Sequence, residues 1–539
     1  MKSRHLLLPL SLALAAMLGY WLAKTAVPQK VTKIKPHSET AQQAGPIDEP
    51  PTQFNRGERE TTQDGDHEAE AEGALAGQRV LAFKDRAALE DFIKRAGSKI
   101  RILGQLDALN ALQIGFSNYG DLLALLDGSE EQSFIFPVQI PDIKQGSVQE
   151  GAVPLGNNLL KWLGISGDNS SWGKGVRIAI LDTGVTANSA FNTNIQMINL
   201  VPLPADLSKQ NGHGTAVAGM IIGNNSLTPG VAPHADILSI RIADDNGISN
   251  NYLLAQGIIA AVDAGASLIN ISMGSFDDSA IVRSAIAYAN AKGAMIFAAA
   301  GNNGTNDVSF PAANAGVIAV SAVDAVNNHL DFSNTGPTVD ISAPGYGVNA
   351  AWSDNQAVSA TGTSFSTPIV VGTMAGILSL SGNENLSPQQ AWALLIEYAN
   401  DGDTSGPDEK LGAGMPDPGR VINGDTPGIY DAALASSRIL PPDSQYPNGQ
   451  VEFLIQNCGT ETIINSTVNV DMGGGTIPYN ITTLAPKAVT TVRVPISRSL
   501  ANQGTTMRVD AQVSLSNGVV DAKPSNDRRV ENYASSPVR

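Results

Sequence analysis

The chain has 539 residues, with 34 Lys and Arg against 51 Asp and Glu, and a formal net charge of −17. This length exceeds what a single hydrophobic core usually holds, so several domains are expected. The acidic balance argues against nucleic acid as a main partner. The one cysteine, Cys458, excludes an intrachain disulfide and a cysteine-based zinc site.

The first 75 residues divide into a targeting segment and a polar linker. Lys2 and Arg4 precede an uncharged apolar run over residues 6–23, the arrangement of a secretory signal. The run is about long enough to span a membrane, and residues 24–26 form a poor cleavage signal. A cleaved signal peptide over residues 1–26 and a retained signal anchor therefore both stay open. Residues 27–75 are polar and acidic with almost no aromatic side chains, which predicts a disordered linker.

A small α+β domain is predicted over residues 76–145. Apolar patterning there predicts two helices and four strands in the order β-α-β-β-α-β, which is typical of a ferredoxin-like unit. The helices are centred on residues 89–96 and 122–126, and the strands on residues 79–83, 99–103, 109–116 and 133–140. Residues 141–160 contain many Gly, Pro, Gln and Asn residues and predict an exposed loop.

Two segments further along carry candidate catalytic side chains. The apolar, β-branched run Val176–Leu181 predicts a buried strand of a parallel sheet, and it ends in Asp182, where open α/β sheets place their sites. His213 lies between two glycines at the start of a segment of small residues that predicts a helix. Among the six histidines it is the best candidate for a general base. Each segment taken alone is more often an ordinary turn or helix cap.

Two more segments complete the set. Ser364 precedes a long apolar run and should lie at a helix N-terminus, where backbone N–H groups and the helix dipole favour a developing oxyanion. Asn302 follows a predicted buried strand, and its side-chain amide could donate to the same oxyanion. With Asp182, His213 and Ser364 in that chain order, the four segments resemble the subtilisin-like serine proteases, or subtilases. The resemblance covers roughly residues 150–425.

The resemblance implies an α/β fold with a mostly parallel sheet and helices on both faces. It implies an exported serine endopeptidase that works through an acyl-enzyme and requires no cofactor. Ser364 would be the nucleophile, His213 the base, Asp182 the residue that orients the base, and Asn302 an oxyanion donor. Five further residues would bind the substrate backbone or line the primary specificity pocket: Ser272, Met273, Gly274, Gly301 and Ser309.

The resemblance also implies a self-processing zymogen. Residues 76–145 would be an inhibitory propeptide and residues 146–427 the peptidase domain, with an ordinary small α+β domain as the alternative for residues 76–145. The expected partners are protein or peptide substrates and the chain's own propeptide. A membrane is expected only through an N-terminal anchor. The protein is expected to be a monomer that is secreted, periplasmic or anchored in the cell envelope.

A strong calcium site of the kind common in subtilases is not expected. Phe191 stands where many relatives have a carboxylate ligand, and calcium needs several oxygen ligands. The run Asp244–Gly247 stays open as a weak calcium site, a solvated turn, or a subsite that favours basic substrate residues.

The C-terminal residues 428–539 predict an antiparallel β-sandwich that follows the α+β domain and the α/β domain. Its strands are predicted at residues 451–456, 463–470, 489–494 and 507–515. The segments Asn457–Glu461 and Lys523–Asp527 resemble those of bacterial adhesion-type Ig-like modules. The alternative function is therefore a catalytically silent subtilase scaffold that binds a surface through this module. The presence of all four catalytic residue types favours the enzyme.

Overall fold

The computed structural model describes residues 66, 69 and 72–533, apart from residues 129, 143–147, 166, 193–194, 381–385, 498–506 and 517. The predicted signal segment 1–26 and most of the predicted linker 27–75 lie outside the described residues. The chain forms two compact units, one ending at Ile135 and one beginning at Phe136.

Within its described residues, the first unit contains a four-stranded antiparallel sheet, with one helix after the first strand and another after the third. Helix α1 buries Leu89, Phe92 and Ala96, whose spacing of three and four residues places them on one face. The strands lie in the order β2-β3-β1-β4, so the first and third strands of the chain are the central pair. The elements are β1 Gln78–Phe83, α1 Arg86–Ala96, β2 Arg101–Leu106, β3 Ala111–Gly115, α2 Tyr119–Leu123 and β4 Glu130–Ser133.

A buried ion pair ties this sheet to a residue that the sequence analysis assigned to the linker. Arg79 is 2% exposed, and its guanidinium lies 2.6 Å from Asp66 and 4.3 Å from the centre of the Phe134 ring. Asp66 also accepts the backbone N–H of Gly77. The packed structure therefore begins before residue 76, and the predicted boundary is too late.

The single strand predicted over residues 133–140 is wrong. The chain forms two short strands instead: β4 ends at Ser133, and β5 covers Pro137–Gln139 in a separate ladder of the second unit. Proline has no N–H to give to a sheet, and Pro137 begins the second strand.

The second unit contains a seven-stranded parallel sheet in the order β13-β12-β11-β10-β6-β8-β7. This confirms the predicted parallel sheet with helices. The strands are β6 Arg177–Asp182, β7 Ile195–Asn199, β8 Asp236–Arg241, β9 Ile248–Asn250, β10 Leu268–Ile271, β11 Met295–Ala299, β12 Val317–Val323, β13 Val339–Pro344, β14 Val348–Ala351 and β15 Ala357–Ala360. The helices are α3 Leu159–Trp162, α4 His213–Ile222, α5 Asn251–Asp263, α6 Ala280–Ala291, α7 Thr363–Leu380, α8 Pro388–Glu397 and α9 Pro418–Asn423.

Helices cover both faces of this sheet. Ile178 and Ile180 share one buried cluster with Val217 of α4 and Ile369 of α7. Leu181 points to the opposite face because side chains alternate along a strand, and there it lies against Gly257 of α5. Within the described part of the chain, only α7 is long and apolar enough to cross a membrane, and 83% of it is buried inside the protein.

Two antiparallel sheets follow the parallel sheet. One has the order β16-β17-β20 and the other β19-β18-β21-β22, and both contribute to one apolar cluster that includes Phe453, Val468 and Val509. Strands β16, β19 and β22 were not predicted from the sequence; the side chains of β19 are mostly exposed and lack a clear alternation. The strands are β16 Ala432–Leu440, β17 Gln450–Asn457, β18 Ile463–Asp471, β19 Thr476–Leu484, β20 Val489–Pro495, β21 Met507–Ser514 and β22 Arg528–Tyr533.

Buried hydrogen bonds join these C-terminal strands to helix α9. Arg420 of α9 donates to the carbonyl of Cys458 at 3.1 Å and to the carbonyl of Ala399 at 3.0 Å. Lys523 lies 3.3 Å from Asp417 at the start of the same helix. Burial raises the pKa of the Cys458 thiol to about 12, so the thiol stays protonated and unreactive at neutral pH.

Candidate active site

Asp182 and His213 meet at the carboxyl edge of the parallel sheet. Asp182 is the last residue of β6, and His213 begins α4. His213 Nδ1 lies 2.9 Å from both carboxylate oxygens of Asp182, and both side chains are buried. Thr183 donates to Asp182 Oδ1 from its backbone N–H at 2.7 Å and from its hydroxyl at 3.1 Å. The carboxylate therefore favours the tautomer with the proton on Nδ1, which leaves Nε2 able to accept one.

Ser364 lies in the first turn of α7 and is 1% exposed. Its hydroxyl donates to the carbonyl of Ser272 at 3.0 Å, and the Ser272 hydroxyl donates to the carbonyl of Ser364 at 2.7 Å. His213 Nε2 is buried and has no hydrogen-bond partner among the residues that the structure describes. In this conformation the Ser364 hydroxyl points to the Ser272 carbonyl rather than to the imidazole.

The orientation of the Asn302 side-chain amide follows from its contacts. Asn302 Oδ1 accepts the backbone N–H of Thr363 at 3.0 Å and the Thr363 hydroxyl at 2.8 Å. The amide oxygen therefore faces α7, and Nδ2 faces the cleft. There Nδ2 donates to the carbonyl of Pro141 at 2.9 Å. Thr363 was not identified from the sequence, because a threonine next to Ser364 carries no distinctive pattern.

A segment of the chain itself occupies the cleft that leads to Asn302. Strand β5 pairs antiparallel with β9, with Val138 opposite Ser249. Gln139 exchanges two backbone hydrogen bonds of 2.9 Å each with Gly274. Ile140 N–H then donates to the carbonyl of Gly247 at 3.0 Å. An extended peptide thus lies between the backbone at residues 247–250 and the backbone at Gly274. It ends at Pro141, whose carbonyl accepts from the Asn302 amide.

The structure brings four of the five predicted substrate-binding residues together beside this peptide. Ser272 and Gly274 lie on the edge that faces it. A Cβ atom at Gly274 would stand 3.1 Å from Ser309 Cβ, and Gly301 has a φ of +108° and lies against the Ser309 hydroxyl. Met273, the fifth residue, is fully buried. Gly274 and Gly301 therefore both lie in close contact with Ser309, and Gly301 directly precedes Asn302 in the chain.

A buried arginine connects the loop that follows Asp182 with the loop that precedes His213. Arg241 is 1% exposed and donates to the carbonyl of Thr183 and to Asp245, the latter at 3.2 and 3.1 Å. Asp245 also accepts the backbone N–H of Asn211 at 3.1 Å, and Asn211 Oδ1 accepts the backbone N–H of His213 at 2.9 Å.

Arg241 was not predicted from the sequence to have a role at this site. The sequence does contain a signal for it: one cation in the run of residues 237–243, whose other members are apolar except for Ser239. Asp245 pairs with this cation, and Asp244 accepts the backbone N–H groups of Asn246 and Ile248 at 2.9 Å each. Both carboxylates of the Asp244–Gly247 run thus have partners within the protein.

No metal-binding cluster appears near the cleft or elsewhere in the described part of the chain, where no three His, Cys, Asp or Glu side chains lie together in a suitable group. Phe191, at the position of the absent carboxylate ligand, packs its half-buried ring against the main apolar cluster and offers no oxygen. The residues there do not fit the calcium site that many subtilases have. His329 lies outside the site, and burial lowers its pKa to about 4, so it stays neutral.

Comparison with known proteins gives consistent matches. The profile of the subtilase family matches residues 173–414. The chain is 40% identical over 212 residues to the thermostable alkaline protease of Halalkalibacterium halodurans, a match that spans 39% of this chain and 58% of that protein, less than two thirds of its length. It is 38% identical over 306 residues to alkaline elastase YaB of a Bacillus species, which spans 55% of this chain and 79% of that protein.

Among solved structures, the fold is similar to that of the epidermin leader peptide processing serine protease of Staphylococcus aureus. The TM-score is 0.55 at 23% sequence identity, and the match covers 65% of this chain and 98% of the other. At that identity the likeness concerns the fold.

Proposed function

Because the chain belongs to the subtilase family of serine proteases, we propose that it is an exported serine endopeptidase that is made as a self-processing zymogen. Ser364, His213 and Asp182 form its catalytic triad, and Asn302 is an oxyanion donor. The substrate is an extended segment of a protein or peptide, bound as an added strand between the edges at residues 247–249 and at Gly274.

The chemistry follows from the positions of these groups. The Ser364 hydroxyl turns from the Ser272 carbonyl toward His213 Nε2, gives up its proton there and attacks the scissile carbonyl carbon. Asp182 stabilises the imidazolium that forms. Asn302 Nδ2 and the Ser364 backbone N–H donate to the oxyanion. His213 then protonates the leaving amine, and water hydrolyses the acyl-enzyme by the same proton route.

One observation carries this proposal: a peptide carbonyl, that of Pro141, lies 2.9 Å from Asn302 Nδ2 at the end of a paired strand. A strand that enters from β5 and stops at an amide donor beside Ser364 is the arrangement that a peptide substrate needs. Thr363 holds the oxygen of the Asn302 side chain, which directs the Asn302 Nδ2 hydrogens toward the Pro141 carbonyl. The donor is therefore already oriented when the strand binds.

The primary pocket favours an apolar side chain. Gly274, Gly301 and the 5%-exposed Ser309 contribute no charge and little volume. The names of two relatives, an alkaline protease and an alkaline elastase, agree with action on proteins. We expect no cofactor, and catalysis without a strong calcium site, since Phe191 offers no ligand.

The strand in the cleft also supports the zymogen. It belongs to the same chain and follows directly after the unit that ends at Ile135. The first unit and the strand would together act as a propeptide that inhibits the enzyme until the connection is cut. Export rests on the signal-like residues 1–26 and agrees with the relatives; secretion, a periplasmic location and an envelope anchor stay alternatives. The mature enzyme is proposed to act as a monomer.

The test compares the full chain with Ser364→Ala, using hydrolysis of an extended chromogenic peptide with an apolar residue before the scissile bond. In subtilisin itself, loss of the nucleophile costs about 10⁶ in kcat, so the variant should fall to background. Ser366→Ala is the matched control, because this buried hydroxyl on the same helix has no hydrogen-bond partner among the described residues and should leave activity intact. Equal activity of Ser364→Ala and wild type would refute the proposal.

A further inference from the structure

The register of the strand in the cleft places Pro141 opposite Ser272. Gln139 and Gly274 form a hydrogen-bonded antiparallel pair, with both N–H groups donating at 2.9 Å. In such a ladder the next pair of the same kind lies two residues further along each strand, which joins residue 141 to residue 272. Any residue other than proline at position 141 could donate its N–H to the Ser272 carbonyl, but proline has no N–H.

The Ser272 carbonyl accepts the Ser364 hydroxyl instead. That hydrogen bond is 3.0 Å long, and His213 Nε2, the atom that must take the hydroxyl proton, has no partner among the described residues. Because Pro141 cannot donate to it, the Ser272 carbonyl is free to hold the Ser364 hydroxyl away from His213 Nε2. At the same time the Pro141 carbonyl lies on the Asn302 amide, so the bond between Pro141 and Asp142 is the one presented for attack.

We propose that Pro141–Asp142 is the bond cut in maturation and that Pro141 slows this cut by leaving the Ser272 carbonyl free to hold the Ser364 hydroxyl. The proposal rests on the proposed function. In the reaction Ser364 Oγ bonds to the Pro141 carbonyl carbon, and the bond from that carbon to the Asp142 nitrogen breaks. The hydroxyl proton passes through His213 to the Asp142 amine. Water then hydrolyses the ester, leaving a carboxylate on Pro141 and a new N-terminus at Asp142.

This arrangement gives Pro141 two opposed effects. The Pro141 carbonyl accepts from Asn302 Nδ2 as the carbonyl of any other residue would, so the bond between Pro141 and Asp142 is correctly placed for attack. The Pro141 ring nitrogen has no N–H for the Ser272 carbonyl, so the Ser364 hydroxyl can donate to that carbonyl instead. The uncut chain would therefore persist long enough to fold and be exported before the protease is released.

The experiment follows self-cleavage of the full chain, unfolded and then refolded by dilution so that time zero is defined, by intact mass. Wild type should yield a fragment that begins at Asp142. Pro141→Ala and Pro141→Leu restore the N–H, and gaining one net hydrogen bond should speed the cut about 3- to 10-fold. Pro137→Ala is the matched control, since it removes a proline from the same strand, four residues from the bond, and should leave the rate unchanged.

The outcomes separate this inference from the proposed function when the same samples are also assayed for peptide hydrolysis. A fragment that begins elsewhere, or Pro141 variants cut no faster than wild type, overturns the inference while peptide hydrolysis still supports the protease. An equal acceleration by Pro137→Ala would assign the effect to strand binding in general and also overturn it. If no variant is cut and none hydrolyses the peptide, the proposed function itself fails.

Discussion

Arg241→Met should weaken both the fold and catalysis, because it removes the cation between the loop that follows Asp182 and the loop that precedes His213. The arginine is 1% exposed and donates to Thr183 O and to both oxygens of Asp245. Methionine keeps most of the apolar length of the side chain but supplies none of these donors. The Asp245 carboxylate then keeps only the backbone N–H of Asn211 among the partners described above.

The size of the effect depends on how well water can replace the lost cation. Breaking a buried ion pair by removing one partner costs about 3–5 kcal/mol. The Asp245 side chain is 26% exposed, so partial hydration lowers the expected loss of unfolding free energy to about 2–4 kcal/mol. A misplacement of catalytic groups by about 1 Å can lower the rate about 10²-fold. We therefore expect kcat to fall about 10- to 100-fold, with KM nearly unchanged because the contacts of Arg241 described above do not include the strand in the cleft.

The assay combines urea unfolding with steady-state kinetics corrected for the titrated fraction of active enzyme. Arg283→Met is the matched control: its guanidinium pairs with Asp278 but the side chain is 52% exposed, and such surface pairs contribute about 0–1 kcal/mol. In a double-mutant cycle, Asp245→Leu added to Arg241→Met should recover part of the lost stability, since no orphaned charge then remains. The reasoning is wrong if Arg241→Met is as stable as Arg283→Met and its kcat stays within about twofold of wild type.

Two further predictions concern pH and the primary pocket. Burial raises the pKa of Asp431 from 3.8 to about 6, so its proton is held more tightly in the folded chain, and the stability it contributes is present below about pH 4 and lost as pH rises through about 6. The free energy of unfolding of Asp431→Asn should therefore exceed that of wild type by up to about 3 kcal/mol at pH 8 and differ little from it at pH 4. A difference between the two proteins in urea unfolding that is the same at both pH values would contradict this. Gly301→Ala places a Cβ inside contact distance of Ser309 Oγ and Asn334 Nδ2 at a φ of +108°, and we expect kcat/KM to fall at least about 100-fold. Gly293→Ala, also at positive φ (+82°) but with nothing within 4 Å of its Cβ, should cost about 1 kcal/mol of stability and leave kcat/KM unchanged; equal kinetic losses in the two variants would exclude the pocket as the cause.

Local patterns predicted the elements that carry the candidate site. The apolar run before Asp182, the small residues after His213 and the apolar run after Ser364 each have the length and period of the strand or helix that the structure contains. These signals depend only on neighbouring residues, because a buried strand or helix must present apolar side chains at its own spacing. The strand predicted over residues 133–140 failed because the pattern does not show which sheet each half joins.

Pairing across the fold decided the rest. The sequence by itself determined the subtilase-like order of Asp182, His213 and Ser364, the parallel α/β core and the presence of a β-rich C-terminal region. The tertiary structure alone decided that Thr363 orients the Asn302 amide and that Arg241 links two loops through Asp245. It also decided that the Ser364 hydroxyl donates to the Ser272 carbonyl. The reason is physical: a periodic pattern records which face of an element is buried, whereas the partner of a polar atom is set by residues tens of positions away that only folding brings within 3 Å or so.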